Sequence, residues 1–246
     1  MTKSTGKIFV IGRNKTGTTS IGKFLSASGF TLSHQRATEL FIYEWANMNF
    51  HKIIKYCKDY DAFQDIPFSL DLTYQIMDYA YPGSKFILTE RTDSKTWYNS
   101  LIRYQSKIIG KNRVPTANDL KEFGYRRKGW VWNAQKLIYG IDEETLYNKD
   151  IYTKHYESHS KRVREYFHNR PDDLLILNLE NPDATRLLCE FLGLEMTTLK
   201  IPHLNKSRIP SKKAIASKPS QHRRQPSRRA SLLGAIQSDA PDPTIP

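Results

Sequence analysis

Near its amino terminus the chain reads Lys7-Ile8-Phe9-Val10-Ile11-Gly12-Arg13-Asn14-Lys15-Thr16-Gly17-Thr18-Thr19-Ser20. The apolar run at its start predicts a short buried strand, because strands of a parallel sheet are covered on both faces. Apolar residues then follow with helical spacing at Ile21, Phe24 and Leu25, and Gly29 predicts the end of the helix. The segment therefore predicts a strand, a glycine-containing turn and a helix in direct succession.

The turn between this strand and this helix has the features of a phosphate site. Glycines at 12 and 17 let the backbone curl so that successive N–H groups point inward, and the helix N-terminus adds positive potential. The spacing resembles the P-loop of nucleoside triphosphatases, which runs G-x-x-x-x-G-K-[ST]. Thr18 stands where that motif has lysine, and the lysine of this turn is Lys15, inside the loop. A glycine turn without a ligand is the alternative interpretation.

The rest of the chain also alternates between predicted strands and predicted helices. Further strands are predicted at Phe30–His34, Asp61–Asp65, Lys85–Glu90 and Leu174–Leu179. Helical segments are predicted between them, at Thr38–Lys58, at Phe68–Tyr81, through most of 93–170 and up to Leu192. This alternation predicts an α/β fold of three layers, α/β/α, with a central parallel sheet like that of P-loop nucleoside triphosphatases. Ligands of such sheets bind beyond the carboxyl ends of the strands.

Composition is that of a globular protein with a basic tail. The chain is 39% hydrophobic and 26% charged, which is typical of a globular domain. Its length of 246 residues is sufficient for one well-filled core. No apolar run reaches the roughly 20 residues of a membrane span, and Met1–Gly6 does not resemble a signal peptide, so we expect a cytoplasmic protein. The net charge is +13, and from Lys206 to Arg229 there are nine Lys or Arg and no acid. We predict a folded domain over 1–205 and a disordered basic tail over 206–246.

A second candidate phosphate-binding residue is Arg91, which directly follows the predicted strand Lys85–Glu90. A guanidinium can hold a phosphate through two parallel hydrogen bonds, and Ser100 on the next predicted helix offers a hydroxyl. Lys15-Thr16-Gly17-Thr18-Thr19-Ser20 resembles the 5′-phosphosulfate loop of sulfotransferases that use 3′-phosphoadenosine 5′-phosphosulfate (PAPS). Arg91 and Ser100 resemble the 3′-phosphate site of the same family. Many members have the serine one position earlier, where this chain has Asn99, so both positions remain open.

The resemblance covers about residues 7–207 and is strongest to small bacterial sulfotransferases of mostly unassigned acceptor. It implies transfer of the sulfuryl group of PAPS to a hydroxyl or amine without a metal ion. It also implies that the nucleotide is bound by one set of residues: Arg13, Asn14, Lys15, Thr16, Gly17, Thr18, Thr19, Ser20, Arg91 and Ser100.

Sulfuryl transfer needs a group that takes the acceptor's proton. Asp65 ends a predicted strand, and Asp65-Ile66-Pro67 matches an Asp-x-Pro segment of related sulfotransferases, so we assign Asp65 as general base and Lys15 as the second catalytic residue. A helix N-cap is the alternative for Asp65. His34 is the other candidate base, and Gln35 is expected in the same cleft. The basic run 126–128 is interpreted either as a solvated helix face or as a cover over the nucleotide.

The acceptor is not identified by the sequence, and a carbohydrate or another small hydroxylated molecule is favoured. We do not expect a nucleic-acid partner, and the sequence does not indicate an oligomeric state. One rival hypothesis is a phosphotransferase of the nucleotide-kinase type, against which Thr18 argues. The other is a non-catalytic basic protein that binds through its tail.

Overall fold

Four parallel strands form the sheet that organises the fold. The computed structural model describes residues 6–195 and 200–202. The strands are β1 (Ile8–Val10), β2 (Ala62–Gln64), β3 (Lys85–Glu90) and β4 (Leu174–Asn178), and they lie in the order β2-β1-β3-β4. Phe9 of the central β1 is in register with Phe63 on one side and Phe86 on the other. The predicted α/β fold with a central parallel sheet is confirmed.

Ten α-helices are present in the described residues. They are α1 (Thr18–Ala27), α2 (Gln35–Leu40), α3 (Ile42–Ala46), α4 (Phe50–Cys57), α5 (Thr73–Ala80), α6 (Ser94–Ile108), α7 (Ala117–Glu122), α8 (Trp130–Tyr139), α9 (Lys149–Tyr166) and α10 (Ala184–Leu192). None of the helices in this part of the chain combines the length and apolar composition needed to cross a membrane. The predicted tail, 206–246, lies outside the described residues, so the division at 205 stays a prediction.

Alternation along β1 places helices on both faces of the sheet. Successive side chains of a strand point to opposite faces, so Phe9 and Ile11 share one face while Ile8 and Val10 share the other. The first pair packs with residues of α4, α5 and α9, and the second pair packs with residues of α1 and α10. All four side chains are at least nine-tenths buried. This arrangement gives the three layers.

A separate apolar cluster joins the helices of the middle of the chain. Trp97 of α6, Trp130 of α8 and Tyr152 of α9 belong to it, and all three are buried. This cluster packs beside the carboxyl-end loops of the sheet through Ile66 and Leu70, which follow β2. It supplies one wall of the cleft in which ligands of such sheets bind.

Three predicted elements differ in the structure. The helix predicted at Phe68–Tyr81 begins only at Thr73, as α5, because turns occupy the residues before it. Phe30–His34 forms a single parallel bridge, Leu32 to Ala62, and is not a strand, because α2 begins at Gln35 and takes the chain away from the sheet edge. The predicted helix Thr38–Lys58 is wrong as one element. It is divided among α2, α3 and α4, and the break before α4 contains Met48 with a left-handed φ of 56°.

Gly12 is expected to be essential for packing the loop against β3. A Cβ at this position would lie 2.0 Å from Oγ1 and 2.5 Å from the backbone oxygen of Thr89. Backbone cannot yield as a side chain does, so Gly12→Ala should lower the free energy of unfolding by about 1–3 kcal/mol, measured by urea denaturation. Gly124→Ala is the matched control, since a Cβ there meets nothing within 4 Å. Equal urea midpoints for the two variants would contradict this account.

Candidate active site

The loop between β1 and α1 presents an uncapped helix N-terminus. Gly17, at the N-cap position, has a φ of 105°, and a Cβ there would lie 2.1 Å from Cδ1 of Leu179, so only glycine fits. No side chain caps α1, and among the described residues the N–H groups of Thr18 and Thr19 at its start have no acceptor, so they are available to an anion, whereas the N–H of Ser20 donates to the backbone oxygen of Gly17 over 2.9 Å. Lys15 also has a left-handed φ, 68°, which belongs to the tight curl of the loop.

One cavity brings most of the predicted site residues together. Its lining includes the following members of the predicted set: Asn14, Lys15, Gly17, Thr18, Thr19, Ser20, Asp65, Arg91 and Ser100. Gln35 also lines it, as expected. These residues come from the first loop, from the ends of β2 and β3, and from α2 and α6. The strand ends therefore converge on one cleft, as parallel topology requires.

Arg13 and Thr16 of the predicted set do not line this cavity. The Arg13 side chain is 3% exposed, and its Nη1 donates to the backbone oxygen of Ser69 over 2.7 Å. Its Nη2 lies 3.4 Å from Oδ1 of Asp71. Thr16 is buried, and its Oγ1 donates to the backbone oxygen of Arg13 over 2.6 Å. Both side chains therefore hold the loop from behind, and they do not face the cleft.

His34 also lies apart from the cavity lining. The residue is exposed and directly precedes α2, and its ring meets the Tyr60 ring edge-on with centroids 5.7 Å apart. The segment that carries His34 runs beyond β2, at the outer edge of the sheet. This edge position takes the imidazole away from the loop lysine.

Arg91 is tied directly to the loop between β1 and α1. Its Nε donates to the backbone oxygen of Lys15 over 2.9 Å, and its Nη1 forms a 3.1 Å ion pair with Glu180. The next residue back in the loop, Asn14, accepts a 2.8 Å hydrogen bond from the indole of Trp97 on α6. These contacts fix β3, α6 and the loop relative to one another.

Ser100 and Asn99 lie differently on α6. Ser100 is half-buried and lines the cavity, whereas Asn99 is exposed and is not among the lining residues. Adjacent residues of a helix point about 100° apart, which explains the difference. Ser100 is therefore the one of the two that shares a cleft with Arg91.

The Lys15 ammonium lies inside the cavity over an aromatic ring. Its Nζ is 3.6 Å from the centroid of Tyr104, close enough for a cation–π contact. Burial lowers the pKa of Lys15 to about 8, and the positive charge of Arg91 acts in the same direction, while Asp65 opposes it. The lysine is thus a desolvated cation, and such cations interact strongly with a ligand's negative charge.

Asp65 is a buried carboxyl group at the end of β2. Its Oδ1 accepts a 3.0 Å hydrogen bond from the backbone N–H of Ile66, and its φ is 62°. Burial, and in the same direction the nearby Glu39 carboxylate, raises the pKa of Asp65 to about 7. The N-cap alternative is wrong, because the helix that follows, α5, begins at Thr73 with Leu72 at its N-cap.

Glu39 is a buried cavity-lining residue that no sequence pattern singles out. The carboxylate is 4% exposed, lines the cavity, and is held by Arg126 Nε and by a 3.0 Å bond from Gln35. Arg126 belongs to the basic run 126–128, which lies in the loop between α7 and α8, so the helix-face interpretation is wrong. Arg126 of this run contacts the lining residue Glu39, while Arg127 and Lys128 are exposed.

Most of the remaining lining is apolar or aromatic, and most of it comes from the helical middle of the chain. The lining side chains of this kind are Tyr104, Ile108, Ile109, Phe123, Tyr125, Trp130, Val131, Ala134, Ile138 and Tyr139. The sequence shows many of them as core positions of amphipathic helices, and nothing in the helical spacing separates a core position from a cavity wall. We call this set, together with Gln35, Glu39, Gln105 and Gln135, the helical wing of the cavity.

Comparison with known families gives a match over most of the chain. A family model described as a sulfotransferase domain matches residues 7–209, more than four-fifths of the 246-residue chain. No curated protein matches the chain.

Proposed function

Because the chain belongs to the sulfotransferase family, an established class of group-transfer enzymes, we propose that it moves the sulfuryl group of PAPS to a hydroxyl or amine of its acceptor. The observation that carries this proposal is the pairing of Lys15 and Arg91 in one cavity, joined by the 2.9 Å bond from Arg91 to the Lys15 backbone. Two cations in one cleft suit a nucleotide with anionic groups at both ends of its ribose.

The cavity residues fit such a nucleotide. The N–H groups of Thr18 and Thr19 and the hydroxyls of Thr18, Thr19 and Ser20 are suited to the 5′-phosphosulfate. Arg91 and Ser100 are suited to the 3′-phosphate. The Arg91–Glu180 pair has a carboxylate that is 53% exposed, and exposed pairs are weak, so a phosphate can displace it.

In the proposed reaction the acceptor oxygen attacks sulfur as its proton passes to Asp65. A new S–O bond forms to the acceptor, and the bond from sulfur to the 5′-phosphate oxygen breaks with its electron pair. Lys15 and the amides of the loop stabilise the negative charge that develops on the leaving phosphate. We favour Asp65 over His34 as base, because Asp65 lines the cavity and the pKa of its carboxyl, about 7, suits proton transfer near neutral pH.

A thermal-shift titration tests the nucleotide assignment. The product 3′-phosphoadenosine 5′-phosphate (PAP) should stabilise the protein by about 2.7 kcal/mol at a hundredfold excess over its Kd, and ATP with magnesium should stabilise it less. Arg91→Gln should remove the preference for PAP over adenosine 5′-phosphate, while Arg103→Gln, an exposed arginine of α6, should keep it. Equal or stronger stabilisation by ATP would instead support the nucleotide-kinase hypothesis.

A further inference from the structure

The Lys15 ammonium is desolvated in the cavity and has no counter-ion there. Within the described part of the chain its Nζ forms no ion pair and no hydrogen bond, and of the nearby charges Arg91 lowers its pKa while Asp65 raises it. A desolvated cation is costly unless another group compensates it. The partner that the structure gives it is the Tyr104 ring of the helical wing, whose centroid lies 3.6 Å from Nζ.

The Tyr104 ring compensates the ammonium without neutralising it. The face of an aromatic ring carries partial negative charge and attracts a cation over its centroid, most strongly where water is excluded. A carboxylate in the same place would carry a full negative charge, so it would occupy the ammonium and repel a phosphate. An ammonium has several N–H donors, and contact with a ring leaves donors for an anionic ligand. The ring therefore suits a lysine whose anionic partner arrives with the substrate.

Helix α6 holds the Tyr104 ring in a fixed place relative to the loop. The indole of Trp97, on the same helix, donates over 2.8 Å to the backbone oxygen of Asn14, the residue directly before Lys15. Trp97 is fully buried, so this anchor does not depend on a mobile surface side chain. Tyr104 and Ser100 are four positions apart, which puts them on one face of α6, and both line the cavity. One helix face therefore serves both the lysine and the proposed 3′-phosphate site.

We propose that Tyr104 is a positioning residue for Lys15, and that its ring keeps the ammonium charged and inside the cavity for the 5′ group of the nucleotide. This inference rests on the proposed function. Tyr104 does not act on the reacting atoms itself and works through the lysine. Sulfuryl transfer leaves additional negative charge on the 5′-phosphate oxygen, and Lys15 stabilises that charge only while it is protonated. Loss of the ring should therefore reduce the fraction of protein with a charged Lys15 at neutral and alkaline pH.

Other elements place further charges around this lysine and this ring. They are Arg91 after β3, Asp65 after β2, Glu39 of α2 and its partner Arg126 from the loop before α8. Arginine keeps its charge throughout the alkaline range. Burial raises the pKa of the Tyr104 phenol, so its hydroxyl stays protonated while Lys15 titrates at about 8. The two carboxyl groups also titrate, so a Lys15 variant is needed to assign the observed transition.

The test is the pH dependence of PAP binding, which needs no acceptor. Calorimetric titration of the full-length protein gives the Kd of PAP from about pH 6 to about pH 10, and titration of PAP itself cancels between variants. In wild type the Kd should begin to rise at about pH 8, as Lys15 loses its proton. In Tyr104→Leu the rise should begin about one pH unit lower, the value of one desolvated cation–π contact. A merely structural effect that admits water to the lysine would shift the rise upward instead.

Three further variants complete the test. Tyr104→Phe keeps the ring and should keep the wild-type profile, and Lys15→Ala should abolish the rise. Tyr79→Leu is the matched control, since Tyr79 is 89% exposed on α5 and is not a lining residue, so its profile should match wild type. Absence of PAP binding by wild type at every pH would refute the proposed function itself. Given PAP binding, four results would each overturn the inference on Tyr104 alone: no rise in wild type, a rise that persists in Lys15→Ala, no downward shift in Tyr104→Leu, or an equal shift in Tyr104→Phe.

Discussion

Lys15→Ala is expected to lower the rate of sulfuryl transfer about 10²–10³-fold, the usual effect of removing one preorganised group that stabilises developing charge. The lysine is desolvated in the cavity, where its charge is little screened by water, and its Nζ is held over Tyr104 at 3.6 Å. Single-turnover measurements with saturating PAPS would separate this effect on chemistry from weaker binding. PAP should still stabilise the variant, since Arg91 and the loop amides remain.

Lys23→Ala is the control for this substitution. Lys23 lies on α1, the helix that follows the loop, but it is exposed and does not line the cavity. Its loss removes the same formal charge from the protein and should leave the rate unchanged. Near wild-type turnover in Lys15→Ala would refute the role assigned to that lysine.

Asp65→Asn is expected to lower turnover about 10²–10⁴-fold while nucleotide binding persists, because an amide cannot accept the acceptor's proton. The general base must be ionised, so wild-type kcat/KM should rise with pH through about 7, where burial places the Asp65 pKa. It should fall again through about 8, as the buried Lys15 loses its charge. In Asp65→Asn the lower limb of this profile should disappear.

Asp59→Asn is the matched carboxylate control. Asp59 lies just before β2, is exposed and is not a lining residue, so this variant should retain both the rate and the bell-shaped profile. A lower limb that persists in Asp65→Asn would assign the titration to another group. Retention of full turnover in that variant would rule out Asp65 as the base.

The glycine turn between β1 and α1 could be predicted from neighbouring residues because its geometry is local. A buried strand, two glycines and an uncapped helix start lie within about a dozen positions, and each depends on backbone sterics or short-range periodicity. The three-layer fold followed for a similar reason, since the alternation of Phe9 and Ile11 with Ile8 and Val10 requires cover on both faces of the sheet. The position of Asp65 at the ligand edge followed from parallel topology.

The direction of individual side chains depends on contacts between distant parts of the chain. Arg13 stands inside the loop motif, yet its guanidinium turns away to Ser69, 56 residues later. Glu39 reaches Arg126 across 87 residues, and no local pattern relates them. Trp130 and Gln135 are distinguished from core residues as cavity-lining residues only by the tertiary packing. Periodicity along a helix reports that a face is covered, and the fold alone determines whether protein or ligand covers it.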